Sequence, residues 1–238
     1  MLKLPDGITA CLFDLDGVLT QTAKVHAAAW KQMFDEFLRE RAERTGEPFV
    51  PFDPKDDYDS YVDGRPRLDG VRTFLEARGI DYDEELVREL GDRKNDLVLR
   101  LIREQGVEMY ESSIRFVELA RDKGLHRAVV SSSANTNEVL TSVGIEELFE
   151  VVVDGLVAER EGLAGKPAPD TFLAAARALG VEPAHGAVFE DALAGVEAGR
   201  AGNFGWVVGV DRTGQAEALY QHGADVVVQD LGELLEAE

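Results

Sequence analysis

The sequence predicts an open, doubly wound α/β sheet with a helical domain inserted after its first strand. Three observations predict it. Six short apolar runs rich in β-branched residues are spread along the chain, helical patterns alternate with most of them, and residues 22 to about 105 hold helical patterns alone.

The runs come in order as "ITACLFD" (8–14), "HRAVVS" (126–131), "FEVVVD" (149–154), "GAVFED" (186–191), "FGWVVGV" (204–210) and "ADVVVQD" (224–230). Each is apolar on both faces, as strands of a parallel sheet covered on both sides must be. Between them lie "IRFVELARDKG", "NEVLTSVG", "PDTFLAAARALG" and "ALAGVEAGRAG", all ending in glycine, the usual helix stop.

The stretch after the first run breaks this rhythm. "TAKVHAAAWKQMFDEFLRERAERTG" is followed by a Pro- and Asp-rich connection, "EPFVPFDPKDD", then by "RPRLDGVRTFLEARG" and "DEELVRELGDRKNDLVLRLIREQG". An inserted helical domain over 21–105, with 1–20 and 106–238 forming the sheet domain, accounts for this order. Asp53, Asp56, Asp57 and Asp59 read as a solvated loop or a helix start.

Bulk properties narrow the function. The 238 residues are 45% hydrophobic, enough for a full core. No apolar run reaches the roughly 20 residues of a membrane span, and the N-terminus has no basic segment followed by an apolar one, so a soluble cytoplasmic protein is expected. A single cysteine, Cys11, excludes internal disulfides and thiolate-built zinc sites, and it reads as a small core residue. The net charge of −21 repels nucleic acid and anionic membrane surfaces. A small molecule is the expected partner, and the chain itself is expected to be a monomer or weak homodimer.

In such a sheet ligands bind beyond the carboxyl ends of the strands. Those ends carry Asp14 and Asp16, Ser131, then Lys166 in "GKPAPD", and Glu190 with Asp191. Carboxylate oxygens suit Mg²⁺, and Asp14, Asp191 and Glu190 could hold it, offsetting their own clustered charge. Beside that ion, with Lys166 and Ser131 facing an incoming oxyanion, an aspartate is arranged to attack phosphorus and form an aspartyl phosphate. Asp16 would serve as general acid and base, and Gly17 would permit the tight exit from the strand. Taken singly, each residue has a structural use: Asp and Gly in turns, Ser as a helix cap, Lys before Pro as a surface charge. Those uses do not explain the ordered set.

The set resembles the haloacid dehalogenase superfamily of aspartate-nucleophile phosphotransferases. The matching residues are "DLDGVLT" (14–20), Ser131 in "VVSSSAN", Lys166 in "GKPAPD" and "FEDALAGVEAG" (189–199). The resemblance covers the whole chain and implies a Rossmann-like core with an inserted helical cap. It implies Asp14 as nucleophile, Asp16 as acid/base whose backbone carbonyl also reaches Mg²⁺, and Glu190 and Asp191 in the metal site. Dehalogenating members do not use the second aspartate, so Asp16 points to phosphate chemistry.

Within the superfamily the chain is similar to the β-phosphoglucomutases in "TAKVHAAAWK" (22–31), "RKND" (93–96) and "SSSAN" (131–135). That likeness implies interconversion of β-glucose 1-phosphate and glucose 6-phosphate through the 1,6-bisphosphate. A mutase needs a second anion site for the phosphate that is not reacting. Arg67 and Lys94 are its candidates on the cap, with Ser133 and Asn135 completing it from the core. His26 and Trp30 share one helix face; His26 would steer Asp16, and Thr22 would lie near the transferred group. Structural uses compete here too, since Trp30 and His26 can pack the cap, Arg65 can replace Arg67, and Ser133 and Asn135 are ordinary helix-start residues. Two departures are Gln21, where these mutases commonly have aspartate, and a longer connection around 45–63. A phosphatase on the same core is the alternative, differing in letting water reach the aspartyl phosphate. A non-catalytic binding protein would be expected to lack Asp14, Asp16, Lys166 or Asp191, and all four are present.

Overall fold

Residues Ala10–Phe13 form strand β1, buried along its whole length. It has no polar face because both neighbours in the sheet and both covering layers are apolar. β2 (His126–Val130) and β4 (Gly186–Glu190) flank it, with Phe13 in register with both Val129 and Phe189. β3 (Val151–Val153), β5 (Trp206–Val210) and β6 (Val226–Val228) complete a six-stranded, all-parallel sheet of order β3-β2-β1-β4-β5-β6. This is the doubly wound, Rossmann-like order, whose direction reverses between β1 and β4.

The computed structural model describes residues 2–236, which divide into two compact units, 2–21 with 107–236, and 22–106. In the sheet unit, Ala10, Leu12, Ala128, Val130 and Val188 meet Phe172, Ala175 and Val196 from α7 (Asp170–Leu179) and α8 (Leu193–Ala201). On the opposite face Phe13 stacks on Phe189 at 4.7 Å, and Phe116 of α4 (Glu111–Asp122) meets both rings edge-on. α5 (Thr136–Val143) follows β2.

The strands are shorter than the apolar runs because their polar ends leave the ladder. Asp154 caps α6 (Gly155–Glu161), accepting the Val157 N–H at 2.8 Å. Neither α6 nor α9 (Ala216–Gln221) is anticipated by the sequence reading, since seven and six residues are too few to show a helical period.

The second unit packs α1 (Ala23–Thr45), α2 (Arg67–Ala77) and α3 (Glu84–Gln105) around Phe34, whose ring lies 5.3 Å from Trp30, 5.3 Å from Phe52 and 3.9 Å from Phe74. Phe52 belongs to the Pro-rich connection, which is therefore pinned. Its N–H donates to Asp35 at 2.8 Å, while Arg78 donates to the carbonyls of Val50 and Pro51 and pairs with Asp57 at 2.5 Å. The acidic stretch is thus more than solvated loop: Asp53 accepts from the N–H groups of Lys55 and Asp56 as a helix start does, and Asp57 is drawn into an ion pair.

Candidate active site

Asp14 is the first residue past β1, at the point where the sheet order reverses, and its N–H still donates to the Phe189 carbonyl at 2.9 Å. Lys166, from the loop before α7, reaches it through the interior. Its Nζ lies 2.5 Å from Asp14 Oδ1, 2.7 Å from Glu190 Oε2 and 3.1 Å from the Val130 carbonyl, which occupies all three donors of the ammonium. Glu190, the last residue of β4, accepts the Ala192 N–H on its other oxygen at 3.1 Å.

Two glycines make room for these carboxylates. Gly17 turns the chain out of β1 at φ 88°, and a Cβ there would fall 1.8 Å from Asp191 Oδ2. A Cβ on Gly195 of α8 would fall 2.0 Å from the Glu190 carboxyl carbon. The glycine in "DLDG" is therefore required twice, by its conformation and by the approach of Asp191.

Oxygens of Asp14, Glu190 and Asp191 lie within 4.8 Å of one another, all three residues buried. Burial first, then the Glu190 carboxylate, holds Asp14 well above the usual carboxylate range, against the pull of Lys166. Burial alone would lower Lys166, but the carboxylates of Asp14 and Glu190 outweigh it and keep the ammonium charged beyond its ordinary range. Three buried carboxylates set against one ammonium form a hard, anionic oxygen site, which fits a divalent cation. The Asp16 carboxylate is outside this cluster; Asp16 lies partly exposed on the turn whose Gly17 N–H donates to the Thr20 carbonyl at 2.7 Å.

Ser131, just past β2, donates its N–H to Val153, and its hydroxyl accepts from the Ser133 N–H at 3.1 Å. The Ser133 hydroxyl accepts in turn from the Asn135 N–H at 3.2 Å, so the loop climbs in two serine turns to the start of α5. Asn135 stands at the cap position without a side-chain capping bond. All of these residues lie at the carboxyl edge of the sheet.

The remaining candidates belong to the helical unit. His26 Nδ1 is 2.9 Å from Lys94 Nζ, and the ammonium lies 4.9 Å from the centroid of the Trp30 ring. A charged lysine has only donors, so beside an ammonium Nδ1 is the acceptor of this pair. Thr22 precedes α1 and its carbonyl accepts the His26 N–H. Arg67 opens α2 with Nη2 3.5 Å from Asp92, while its Nε is buried without a hydrogen-bond partner among the described residues.

Two polar residues near the sheet edge escape the sequence reading. Arg212 Nε donates to the Gly17 carbonyl at 2.7 Å, and Gln215 Nε2 donates to the Asp191 carbonyl at 3.1 Å. The signal that could have found them is position, because they follow β5 as Asp14 follows β1.

Residues 8–203 match the haloacid dehalogenase-like hydrolase family. The chain belongs to that family. Within it, the chain falls in the β-phosphoglucomutase-like branch. It is 56% identical over 247 residues to a β-phosphoglucomutase of Mycobacterium bovis, a match covering 99% of this chain and 94% of the relative. A β-phosphoglucomutase of Bacillus subtilis is 32% identical over 228 residues, covering 94% and 91%. Among solved structures, a β-phosphoglucomutase of Clostridium difficile superposes with a TM-score of 0.78 at 28% identity, over 96% of this chain and 93% of the other. In this family member no helix of the described residues is long and apolar enough to cross a membrane.

Proposed function

We propose that the chain is a Mg²⁺-dependent β-phosphoglucomutase working through an aspartyl phosphate. The observation that carries this is the 56% identity to a β-phosphoglucomutase across nearly the full length of both chains. The buried carboxylates at the sheet edge and the paired His26 and Lys94 in the helical unit support it.

Asp14, Glu190 and Asp191, with the Asp16 backbone carbonyl, would hold the ion. Bound there, Mg²⁺ would neutralise carboxylate charge and polarise phosphoryl oxygens. Asp14 Oδ attacks phosphorus, and the bond to the sugar oxygen breaks as Asp16 gives that oxygen its proton. In the reverse transfer Asp16 takes the proton of the attacking hydroxyl and the phosphoryl group leaves Asp14. Lys166 holds positive charge at the nucleophile throughout, and Ser131 offers its hydroxyl to the transferring group. Lys94, Arg67, Ser133 and Asn135 bind the phosphate that is not reacting, with His26, Trp30 and Thr22 contributing to the sugar side. The substrate is a small sugar phosphate, and the enzyme acts in the cytoplasm as a monomer or weak homodimer.

The test is one incubation with Mg²⁺, β-glucose 1-phosphate and a trace of β-glucose 1,6-bisphosphate, following glucose 6-phosphate and inorganic phosphate together. Fast glucose 6-phosphate with little free phosphate is the expected result. Free phosphate as the main product would make the chain a phosphatase instead. Lys94→Ala should cut kcat/KM by about a hundredfold while leaving phosphoenzyme formation from acetyl phosphate, which has no second phosphate, nearly unchanged.

A further inference from the structure

We infer that Arg212 and Gln215 are positioning residues of this active site, holding the Gly17 and Asp191 peptides from one turn on the loop after β5. The inference rests on the proposed phosphotransfer chemistry and adds to it two residues from a strand end that this chemistry does not otherwise use.

The turn is rigid by construction. Asp211 donates its N–H to the Val228 carbonyl at 2.7 Å, and its Oδ1 accepts from Thr213, Gly214 and Gln215 N–H groups at 3.2, 2.7 and 2.8 Å. From this base Arg212 spans two peptides, Nε to the Gly17 carbonyl and Nη1 to the Gln229 carbonyl, each at 2.7 Å. Its guanidinium carbon lies over the Tyr110 ring, 3.6 Å from the centroid, and Asp230 stands 3.7 Å from Nη1. Nη2 is buried without a hydrogen-bond partner among the described residues, so the group bears a desolvation cost to sit there.

Gly17 is where positioning is most needed. It lacks a Cβ, sits at φ 88°, and lies between Asp16 and the Asp191 carboxylate. Its N–H, which fixes the Asp16–Gly17 peptide, donates to Thr20. Its carbonyl, in the next peptide, is held by Arg212. Without that bond the glycine becomes a hinge secured on one side only, and Asp16 rides on it. Lysine cannot substitute, since one ammonium cannot reach both carbonyls in a fork while stacked on an aromatic face. Gln215 acts on the other partner of the contact: it holds the Asp191 carbonyl and so the aim of a carboxylate that would ligate the cation.

The two contacts have separable consequences, and the test compares Arg212→Lys and Gln215→Ala with the parent. Turnover of β-glucose 1-phosphate is measured alongside Mg²⁺ binding by calorimetry on the metal-free protein, with thermal melts confirming the fold. Arg212→Lys should lower kcat about ten- to hundredfold with KM nearly unchanged, and should weaken Mg²⁺ binding less than Gln215→Ala does, because the Gly17 N–H bond to Thr20 still holds the peptide that carries the Asp16 carbonyl. Gln215→Ala should weaken Mg²⁺ binding about tenfold, with a smaller loss of kcat at saturating Mg²⁺ than Arg212→Lys shows. Parent-like kcat in Arg212→Lys, or equal shifts of kcat and Kd in both variants, would overturn the inference. If Arg212→Lys does not fold, Gln215→Ala decides through its Kd. Should the parent fail to turn over β-glucose 1-phosphate, the mutase reading falls alone; decay of the phosphoenzyme made from acetyl phosphate then replaces kcat in the same comparison.

Discussion

Lys166 and Asp14 lie 2.5 Å apart in the interior of the sheet unit, with 1% and 8% of their side chains exposed, and Glu190 completes the cluster 2.7 Å from the same ammonium. Removing the cation leaves two buried carboxylates facing each other. Lys166→Ala should destabilise the metal-free protein by about 3–5 kcal/mol at neutral pH, as breaking a buried pair does. The folded-state value of Lys166 is raised, so its contribution is fully present below the ordinary lysine range and is lost only as the pH climbs through the folded value. Urea unfolding should therefore show a constant penalty from neutral to mildly alkaline pH. A penalty below about 1 kcal/mol would mean that water already screens the cluster.

Asp14 has the opposite sign. Burial and Glu190 raise it in the folded state, so ionising it costs stability as the pH rises from the unfolded value of 3.8 through the folded one. Asn at position 14 keeps an oxygen for Lys166 and never ionises. In chelator, Asp14→Asn should unfold at a higher urea concentration than the parent near neutral pH, and the gap should close below the unfolded value. Activity and phosphoenzyme formation should fall by about a thousandfold or more. A variant that is active, or less stable than the parent at neutral pH, would contradict the assignment.

The strands were legible because runs such as "GAVFE" are apolar on both faces, which no helix of that length explains. Their ends were not, because Asp14, Asp154 and Asp191 look like strand continuations until the ladder stops. The same ambiguity carries the site: a polar residue closing an apolar run marks the sheet edge, and Asp14, Ser131 and Glu190 stand out for that reason. Lys166 stands out only through its order among them, since nothing in "GKPAPD" tells that its ammonium is buried between two carboxylates. Arg212 and Gln215 act on backbone carbonyls, which have no residue-type signature, and Gly195 is marked only by the Glu190 side chain lying against it. The anchoring of Phe52 by Asp35 is hidden likewise, because a Pro-rich stretch reads as a loose connection whatever its aromatic residue packs on.

Gly195 supports its own prediction. Its helix presents bare backbone to Glu190, and a methyl group would fall 2.0 Å from the carboxyl carbon, too close for any relaxed contact. Gly195→Ala should improve helix propensity by less than it costs in overpacking, for a net loss of about 1–3 kcal/mol. Displacing Glu190 also releases its bond to Lys166, so Mg²⁺ binding measured by calorimetry should weaken about tenfold or more. Parent-like binding would show that α8 can shift and leave the carboxylate in place.

Cys11 turns the centre of the sheet into a reporter. It is the chain's single cysteine, buried in β1 between β2 and β4, and burial pushes its thiol up to about 12, with Arg127 pulling weakly the other way. At pH 8 only about one thiol in ten thousand is ionised in the folded state, and iodoacetamide has no path to it. Labelling then requires β1 to leave the sheet, which also removes Asp14 from its partners. Alkylation should follow the global unfolding equilibrium, with the same urea dependence as loss of circular dichroism. Mg²⁺ at about a hundred times its Kd should slow it by about a hundredfold, because an ion held by the proposed ligands Asp14, Glu190 and Asp191 would bind only the folded chain. Fast labelling that ignores both urea and Mg²⁺ would show instead that β1 opens locally, and Asp14, the proposed nucleophile, would then follow a strand less firmly held than its burial implies.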